Sequence, residues 1–453
     1  MLPSARMRAL RGAAASFCSF FLLALALAGP ALSWPMVYDD LHLLRSFTPA
    51  ERAQAWKGSW DPDGIEHPGL RPLTLVFNEA RYRVFGENVA AQRLFLAALF
   101  ALYASLLAVV VTALGGPAPA GLGAGALLLC SRYSVYHYVW LTDGNHLFQG
   151  LLFELSALAL LAGLTRSSWP WLAASITALT AAVLVREDGL ALVPVLLLFG
   201  RMATPREQRR ALPIYGAVLL AASLSLFVYR ARAVPEAPPP GLDAGSFAVA
   251  VARALVPSGP ESFDAVSRAV MWVWIAGAVT ALVGSLRRRH SPDGRLALVF
   301  LAACVVACAP ALTFRRDDLL FFPVTFAALF YGTALWSVGR QGGAMRVAAA
   351  VSMTAGVLGG VYVSRAFALN FHPDSARAIR WNAQMMYGPY ADRATIPAAR
   401  RAALVSRLTA QGVRSAADLP ALGARIGRAR VEGPFRPGPA GTLFFPPLPE
   451  IDF

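Results

Sequence analysis

The sequence predicts an all-α polytopic membrane protein: a bundle of about 11 transmembrane helices with a large first outer loop carrying interfacial helices. Three observations predict it. Of the 453 residues, 57% are apolar, against about 45–50% in soluble domains. Only 15% are charged, where about 25% is typical, and mean hydropathy is +0.52. The apolar residues also come in runs of roughly 20, the length that crosses about 30 Å of hydrocarbon. A soluble chain of this length would need a charged skin that these residues cannot supply. With 26 Phe, 12 Tyr and 10 Trp, a disordered chain is excluded as well.

The runs place spans near 13–33, 93–114, 119–138, 146–164, 168–185, 188–200, 211–229, 266–286, 295–313, 318–338 and 344–366. The first resembles a cleavable signal peptide, with Arg6, Arg8 and Arg11 before an Ala/Leu run that ends Ala31-Leu32-Ser33. That run is longer than the usual 7–15-residue signal core, and Trp34 suits an interfacial anchor, which favours a retained span. Short-loop arginines set the orientation. With the N-terminus cytoplasmic, the inner loops hold Arg166; Arg201, Arg206, Arg209 and Arg210; Arg287, Arg288, Arg289 and Arg295; and Arg340 and Arg346. The outer ones hold only Arg132, Arg186, Arg315 and Arg316. Residues 34–92, 230–265 and the tail then lie outside. A transmembrane domain over 1–369 and a small extracytoplasmic tail over 370–453 follow. Compact loops and abundant arginine point to a bacterial inner membrane.

The net charge is +15, and Lys57 is the one lysine among 41 basic residues. Genome base composition is the plain explanation. The functional one is a demand for two-pronged phosphate contacts. The charge is scattered over many short loops, so nucleic acid is not an expected partner. Cys18, Cys130, Cys304 and Cys308 all sit in apolar stretches and read as small core residues.

The first outer loop has helices of its own. Thr48-Pro49-Ala50-Glu51 is a capping box with proline at the first helical position. A second helix starts at Pro72 and stops at Gly86, with Leu73, Phe77, Ala80 and Val84 on one stripe opposite Glu79 and Arg83, as for a helix lying in the membrane interface. In the tail, Ser415 with Asp418 marks one more capped helix that carries Leu419, Leu422 and Ile426 inward, and no 34-residue repeat occurs.

Five charged clusters fall on the outer side. Asp39-Asp40 follow the first span, where adjacent carboxylates repel unless one is protonated, paired or metal-bound; a hydrated juxtamembrane turn is the plain alternative. Arg71 stands before Pro72 at a helix start that favours an anion, although snorkelling to lipid headgroups explains it equally. Arg186, Glu187 and Asp188 precede a stretch of about 13 residues, roughly 10 Å short of spanning, so they are recessed and must face protein or water. Arg315-Arg316-Asp317-Asp318 is the fourth. The fifth is Trp140-Leu-Thr-Asp143-Gly-Asn145-His146, with Glu154 two turns into the following span. No comparable acidic cluster lies inside, so a site is expected at the outer face, using a substrate that stays in the bilayer or arrives from outside.

The order of these parts resembles the GT-C superfamily of polytopic glycosyltransferases. One span precedes a loop opening with an acidic pair, followed by Arg71-Pro72-Leu73 and a helix ending Arg83-Val-Phe-Gly-Glu-Asn88. The nearest likeness is to the membrane part of O-mannosyltransferases with tetratricopeptide tails and their bacterial relatives. Val139-Trp140, Gly144, Leu147-Phe148 and Leu151-Leu152-Phe153 are similar to that branch, as are Arg186-Glu187-Asp188-Gly189, Arg316, Leu320 and Pro323, over about residues 10–370. The tail lacks tetratricopeptide repeats, and the acidic pair is Asp-Asp without a spacer.

The resemblance implies a GT-C-like bundle that moves a sugar from a polyprenyl-phosphate donor to a glycan, lipid or protein acceptor on the extracytoplasmic side, with inversion. Asp39 or Asp40 is then the general base. Arg71, Arg315 and Arg316 become donor-phosphate ligands. His42, His67, Asp143, His146, Arg186, Glu187 and Asp188 become cavity or acceptor candidates. A divalent ion, Mg²⁺ or Mn²⁺, on Asp39, Asp40 or Asp143 would serve the same chemistry. A transporter would instead place charges near the bilayer midplane in two repeated halves, and no such repeat is visible. An O-antigen polymerase or ligase and a non-catalytic protein handling lipid-linked sugars compete with the transferase reading.

Overall fold

A computed structural model describes residues 3–65, 69–204, 211–234, 242–256, 265–312, 317–368 and 376–422. Among the described residues all regular structure is helical. Six helical stretches of the described residues are long and apolar enough to cross a membrane: Val89–Ala113, Thr142–Arg166, Leu212–Ala233, Pro292–Leu312, Phe321–Gly339 and Gly343–Ser364. Shorter apolar helices cover Gly12–Ala28, Ala118–Cys130, Trp169–Val185, Ala244–Leu255 and Met271–Arg287.

α1 (Pro3–Ala28) leads into a loop with three helices. α2 (Asp40–Leu43) is a single turn. α3 (Pro49–Lys57) begins at the expected capping box, where the Glu51 N–H donates to Thr48 Oγ1 at 3.2 Å and the Thr48 N–H to the Glu51 carboxylate at 2.7 Å. α4 (Pro72–Phe85) begins at its proline and ends at Gly86, whose φ of +53° a side chain would oppose.

The expected stripe on α4 is corrected. Its buried side carries Thr74, Asn78 and Arg81 together with Leu75 and Phe77, while Val76, Ala80 and Val84 face outward. Glu79, expected outside, is buried between Arg52 (3.1 Å) and Arg83 (2.8 Å). The reason is local: the helix sits on the polar end of the bundle, where the Thr74 hydroxyl donates to the Val185 carbonyl at 2.6 Å, so its polar side turns inward.

α5 (Val89–Ala113) and α6 (Ala118–Cys130) follow as an antiparallel pair. The span expected over 119–138 breaks at Ser131 and resumes as α7 (Val135–Val139). The Ser134 hydroxyl donates to the Leu128 carbonyl and also contacts the Ser131 hydroxyl at 3.0 Å, side-chain bonding that competes with continuation of the helix. α8 (Asn145–Arg166) and α9 (Trp169–Val185) pack closely against each other. The short span expected at 188–200 is instead a 3₁₀ turn over Glu187–Leu192 leading into α10 (Val193–Ala203), with proline in its first turn.

After α11 (Ala211–Ala233), the segment expected as a plain outer loop contains α12 (Ala244–Leu255), capped by the Asp243 carboxylate. α13 (Ala265–Arg287), α14 (Pro292–Ala307), α15 (Phe321–Gly339) and α16 (Gly343–Ala368) complete the bundle. α15 is its axis, buried over nearly its whole length and flanked by α6, α13, α14 and α16. It approaches α6 at Gly332, where a Cβ would fall 2.3 Å from the Ala120 carbonyl oxygen. Cys130, Cys304 and Cys308 are core residues as expected, but Cys18 is exposed on α1.

α17 (Ala376–Tyr387) and α18 (Ala398–Ala410) lie against the first loop rather than hanging free. Trp381 rests on Tyr38, with ring centroids 6.1 Å apart, and the Thr395 N–H donates to Asp63 at 2.9 Å. The Ser415–Asp418 box forms and buries Leu419 and Leu422; Ile426 lies outside the described residues.

Candidate polar site at one end of the bundle

The acidic pair sits where α1 gives way to α2. Tyr38 adopts a left-handed φ of +55°, a conformation that costs a bulky residue about 1–3 kcal/mol and is retained where the surroundings impose it. Its ring is held between Trp140 and Trp381. That turn sends Asp39 and Asp40 into the protein, and both are buried, Asp39 retaining 6% exposure and Asp40 none. They are not a hydrated turn. Asp40 accepts the Thr142 N–H at 2.8 Å and the Leu141 N–H at 3.2 Å. Burial lifts its carboxyl above the ordinary value, opposed by those two N–H groups and by the charges of Arg93 and Arg81.

Two arginines absent from the sequence expectations face this pair. Arg93 gives both terminal nitrogens to carbonyls: it donates to Ala31, Trp34, Pro35 and Val139, binding the end of the α1 segment to α7, and only its Nε has no hydrogen-bond partner among the described residues. Arg81 differs. Its Nη2 donates to Asn78 at 3.1 Å and its guanidinium covers the Phe77 ring at 4.8 Å. Its Nε and Nη1, though buried, have no hydrogen-bond partner among the described residues. Burial draws this guanidinium down to about 10, with the Asp40 charge acting the other way.

From Thr142 the polar layer continues inward. Asp143 meets His137 Nδ1 at 3.1 Å and His146 Nε2 at 3.5 Å. Phe321 closes over both imidazoles, its centroid 4.5 Å from His137 and 5.8 Å from His146. Asp188 lies near Arg186, His146 and Arg71 and accepts from Gln149 at 2.9 Å. Gln149 also donates to the Arg186 carbonyl at 2.9 Å. Glu187 accepts from the Leu70 N–H and from Arg230 Nε (2.7 Å), with Arg71 at 3.9 Å. Arg71 in turn covers the Trp60 ring at 5.6 Å.

Four of the five charged clusters therefore form one contiguous layer: Asp39-Asp40, Arg71, Asp143 with His146, and Arg186-Glu187-Asp188. Arg315 and Arg316 of the remaining cluster lie outside the described residues, as does His67. Arg71 is already engaged by Glu187, so it is less open to a phosphate than its place at a helix start suggested. The set expected on Asp39, Asp40 and Asp143 is not among the groups whose ligand atoms converge in the described residues. Among the described residues, the group whose ligand atoms converge, all within 4.8 Å, is His42, Asp61 and Asp63.

Sequence reasoning missed Arg81, Arg93, His137 and Gln149. A signal existed for the first. Thr74, Asn78 and Arg81 recur at i, i+4 and i+7, a polar stripe at helical period as regular as the apolar one. His137 and Arg93 fell inside assigned spans, where an ionisable residue is a functional candidate by default.

Against known proteins, the chain matches no family model and no curated protein.

Proposed function

We propose that the chain is an integral-membrane glycosyltransferase that moves a sugar from a polyprenyl-phosphate donor to an acceptor hydroxyl on the extracytoplasmic side, with inversion. The observation that carries this reading is Arg81: a buried guanidinium with donors unspent among the described residues, in the field of buried Asp40, at one end of a bundle of apolar helices. A planar cation with free N–H groups suits a phosphate oxygen, and a carboxylate beside it suits removal of a hydroxyl proton. The six apolar spans supply a bilayer setting for a donor with a long lipid tail.

Asp39 serves as the base. Asp40 is fully buried with both oxygens accepting backbone N–H groups, whereas Asp39 keeps slight exposure to an incoming hydroxyl. The acceptor oxygen gives its proton to Asp39 and bonds to the anomeric carbon. As that bond forms, the bond from carbon to phosphate oxygen breaks, and its electron pair leaves with the phosphate. Arg81 stabilises the charge that develops there, and Arg71 guards the approach. Proton removal and phosphate stabilisation both proceed on these side chains. In this reading the N-terminus is cytoplasmic and α17–α18 lie outside with the first loop.

The test is mass spectrometry of lipid-linked sugars in a deletion strain, complemented with wild type, Asp39→Asn or Arg81→Lys. The deletion should accumulate a polyprenyl-phosphate sugar that wild type clears. Asp39→Asn should lose about 10²- to 10⁴-fold in rate while still binding the donor, and Arg81→Lys should weaken donor use. If both variants fold and clear the lipid at the wild-type rate, the transferase reading fails, leaving a transporter or non-catalytic role.

A further inference from the structure

We propose that His42, Asp61 and Asp63 form a binding site for a divalent transition-metal ion, zinc first, that staples the first loop to the C-terminal segment. His42 is fully buried on α2, and neither ring nitrogen has a hydrogen-bond partner among the described residues. Its Nε2 points at Asp61 Oδ2 from 3.6 Å, too far for a hydrogen bond. Donor atoms bound to one tetrahedral zinc at about 2.0–2.2 Å lie roughly 3.4 Å apart, so this spacing suits two ligands of one ion better than it suits a direct pair. Asp63 completes a set whose ligand atoms all lie within 4.8 Å.

Both carboxylates are pre-positioned by neighbouring donors. Asp61 accepts the Asp63 N–H at 2.9 Å and the Ile65 N–H at 2.7 Å. Asp63 accepts from Arg45 at 3.1 Å and from the Thr395 N–H and hydroxyl, each at 2.9 Å. A carboxylate oxygen has two lone pairs; each Asp61 oxygen and Asp63 Oδ2 accepts one such bond and keeps a lone pair for an ion, whereas Asp63 Oδ1 accepts two. The charges also argue for a cation. Arg45 is bound at 2.7 Å by Glu51 as well as by Asp63. Three carboxylates, Glu51, Asp61 and Asp63, are gathered here around the single Arg45 guanidinium that the ion pairs show.

An imidazole with two carboxylates suits zinc or manganese, whereas magnesium and calcium prefer all-oxygen sites. A fourth ligand would complete a tetrahedral site. The bound ion would tie α2 to the turn after Trp60 and, through Thr395 and the Arg393 contact to the Gly64 carbonyl (3.2 Å), to the C-terminal segment. It sits two residues beyond Asp40 on the same turn, yet the metal claim does not depend on the transferase reading, because its readout is metal and not turnover.

The experiment uses the full-length, untagged protein in detergent, prepared without chelator, with elemental analysis and melting temperature as readouts. The expected result is about one zinc per chain, falling below about 0.1 in His42→Ala and Asp61→Asn and retained in Asp39→Asn. EDTA should lower the melting temperature by a few degrees, with zinc restoring it and magnesium not. Should the variants misfold, cobalt titration of the metal-stripped wild type decides, with visible ligand-field bands expected at one equivalent. A wild type that retains neither zinc nor cobalt after dialysis, or a His42→Ala variant with undiminished metal, overturns the site and leaves a buried His–Asp contact.

Discussion

Arg400 reaches from α18 into the first loop and makes five hydrogen bonds there. Nη1 donates to the carbonyls of Asp40 and Leu41, each at 2.7 Å, and Nη2 to that of Leu44 at 2.8 Å. Nε and Nη2 also donate to Glu87, at 3.1 and 2.8 Å. The three carbonyls close the C-terminal end of the turn that carries the acidic pair, where orphan acceptors are expected. Glu87 is 44% exposed, so its pairing adds little after solvent screening. Replacing Arg400 by alanine leaves the three buried carbonyls without a donor, at about 1–2 kcal/mol each, or about 3–6 kcal/mol locally. Hydrogen exchange followed by mass spectrometry reads that loss directly. Amides of α2 should exchange about 10²-fold faster or more in Arg400→Ala, since about 1.4 kcal/mol corresponds to a factor of ten. Arg400→Lys, a point charge on a flexible stem, should fall between. Glu87→Gln should change exchange by less than about fivefold. Equal protection of α2 in wild type and Arg400→Ala would refute the assignment of Arg400 as the residue that positions Asp39 and Asp40.

Three further outcomes are expected. Arg71→Lys should weaken the Glu187 contact and lower activity more than Arg83→Lys, because Arg83 is an exposed side chain pairing with Glu79; transfer rates equal in the two variants would return Arg71 to a lipid-facing role. Asp40 holds its proton more tightly folded than unfolded, so the native state binds more protons and loses stability as pH rises from the ordinary 3.8 through the raised value; melting of wild type relative to Asp40→Asn should therefore decline with rising pH, and an opposite slope would contradict the burial. Gly332→Ala should force α6 and α15 apart at the cost of about 1–3 kcal/mol, seen as a lower melting temperature, while an unchanged value would mean the helices do not meet there.

The class of the protein and many of its local signals are written within short stretches of chain. Runs of apolar residues need only their own length to declare a span, and capping boxes such as Thr48–Glu51 and Ser415–Asp418 act within four residues, so both were legible without a fold. The acidic pair, Arg71, Asp143 with His146 and Arg186-Glu187-Asp188 were also legible, because charge in an apolar chain is conspicuous. Which of these groups meet, and which are already spent, depends on the folded chain. Arg71 read as an open anion ligand until Glu187, 116 residues along the chain, came to lie beside it. Asp40 read as half of a surface acidic pair, and only the fold brings the Leu141 and Thr142 N–H groups, about 100 residues along the chain, onto its oxygens. The inward turn of α4, which makes Arg81 a buried cation, follows from the polar end of the bundle it packs on and not from its own apolar stripe. Arg400 has no local signal at all. Its partners are backbone carbonyls, which carry no mark in a sequence, and they lie some 360 residues away, brought near only when the bundle closes and the C-terminal segment settles on the first loop.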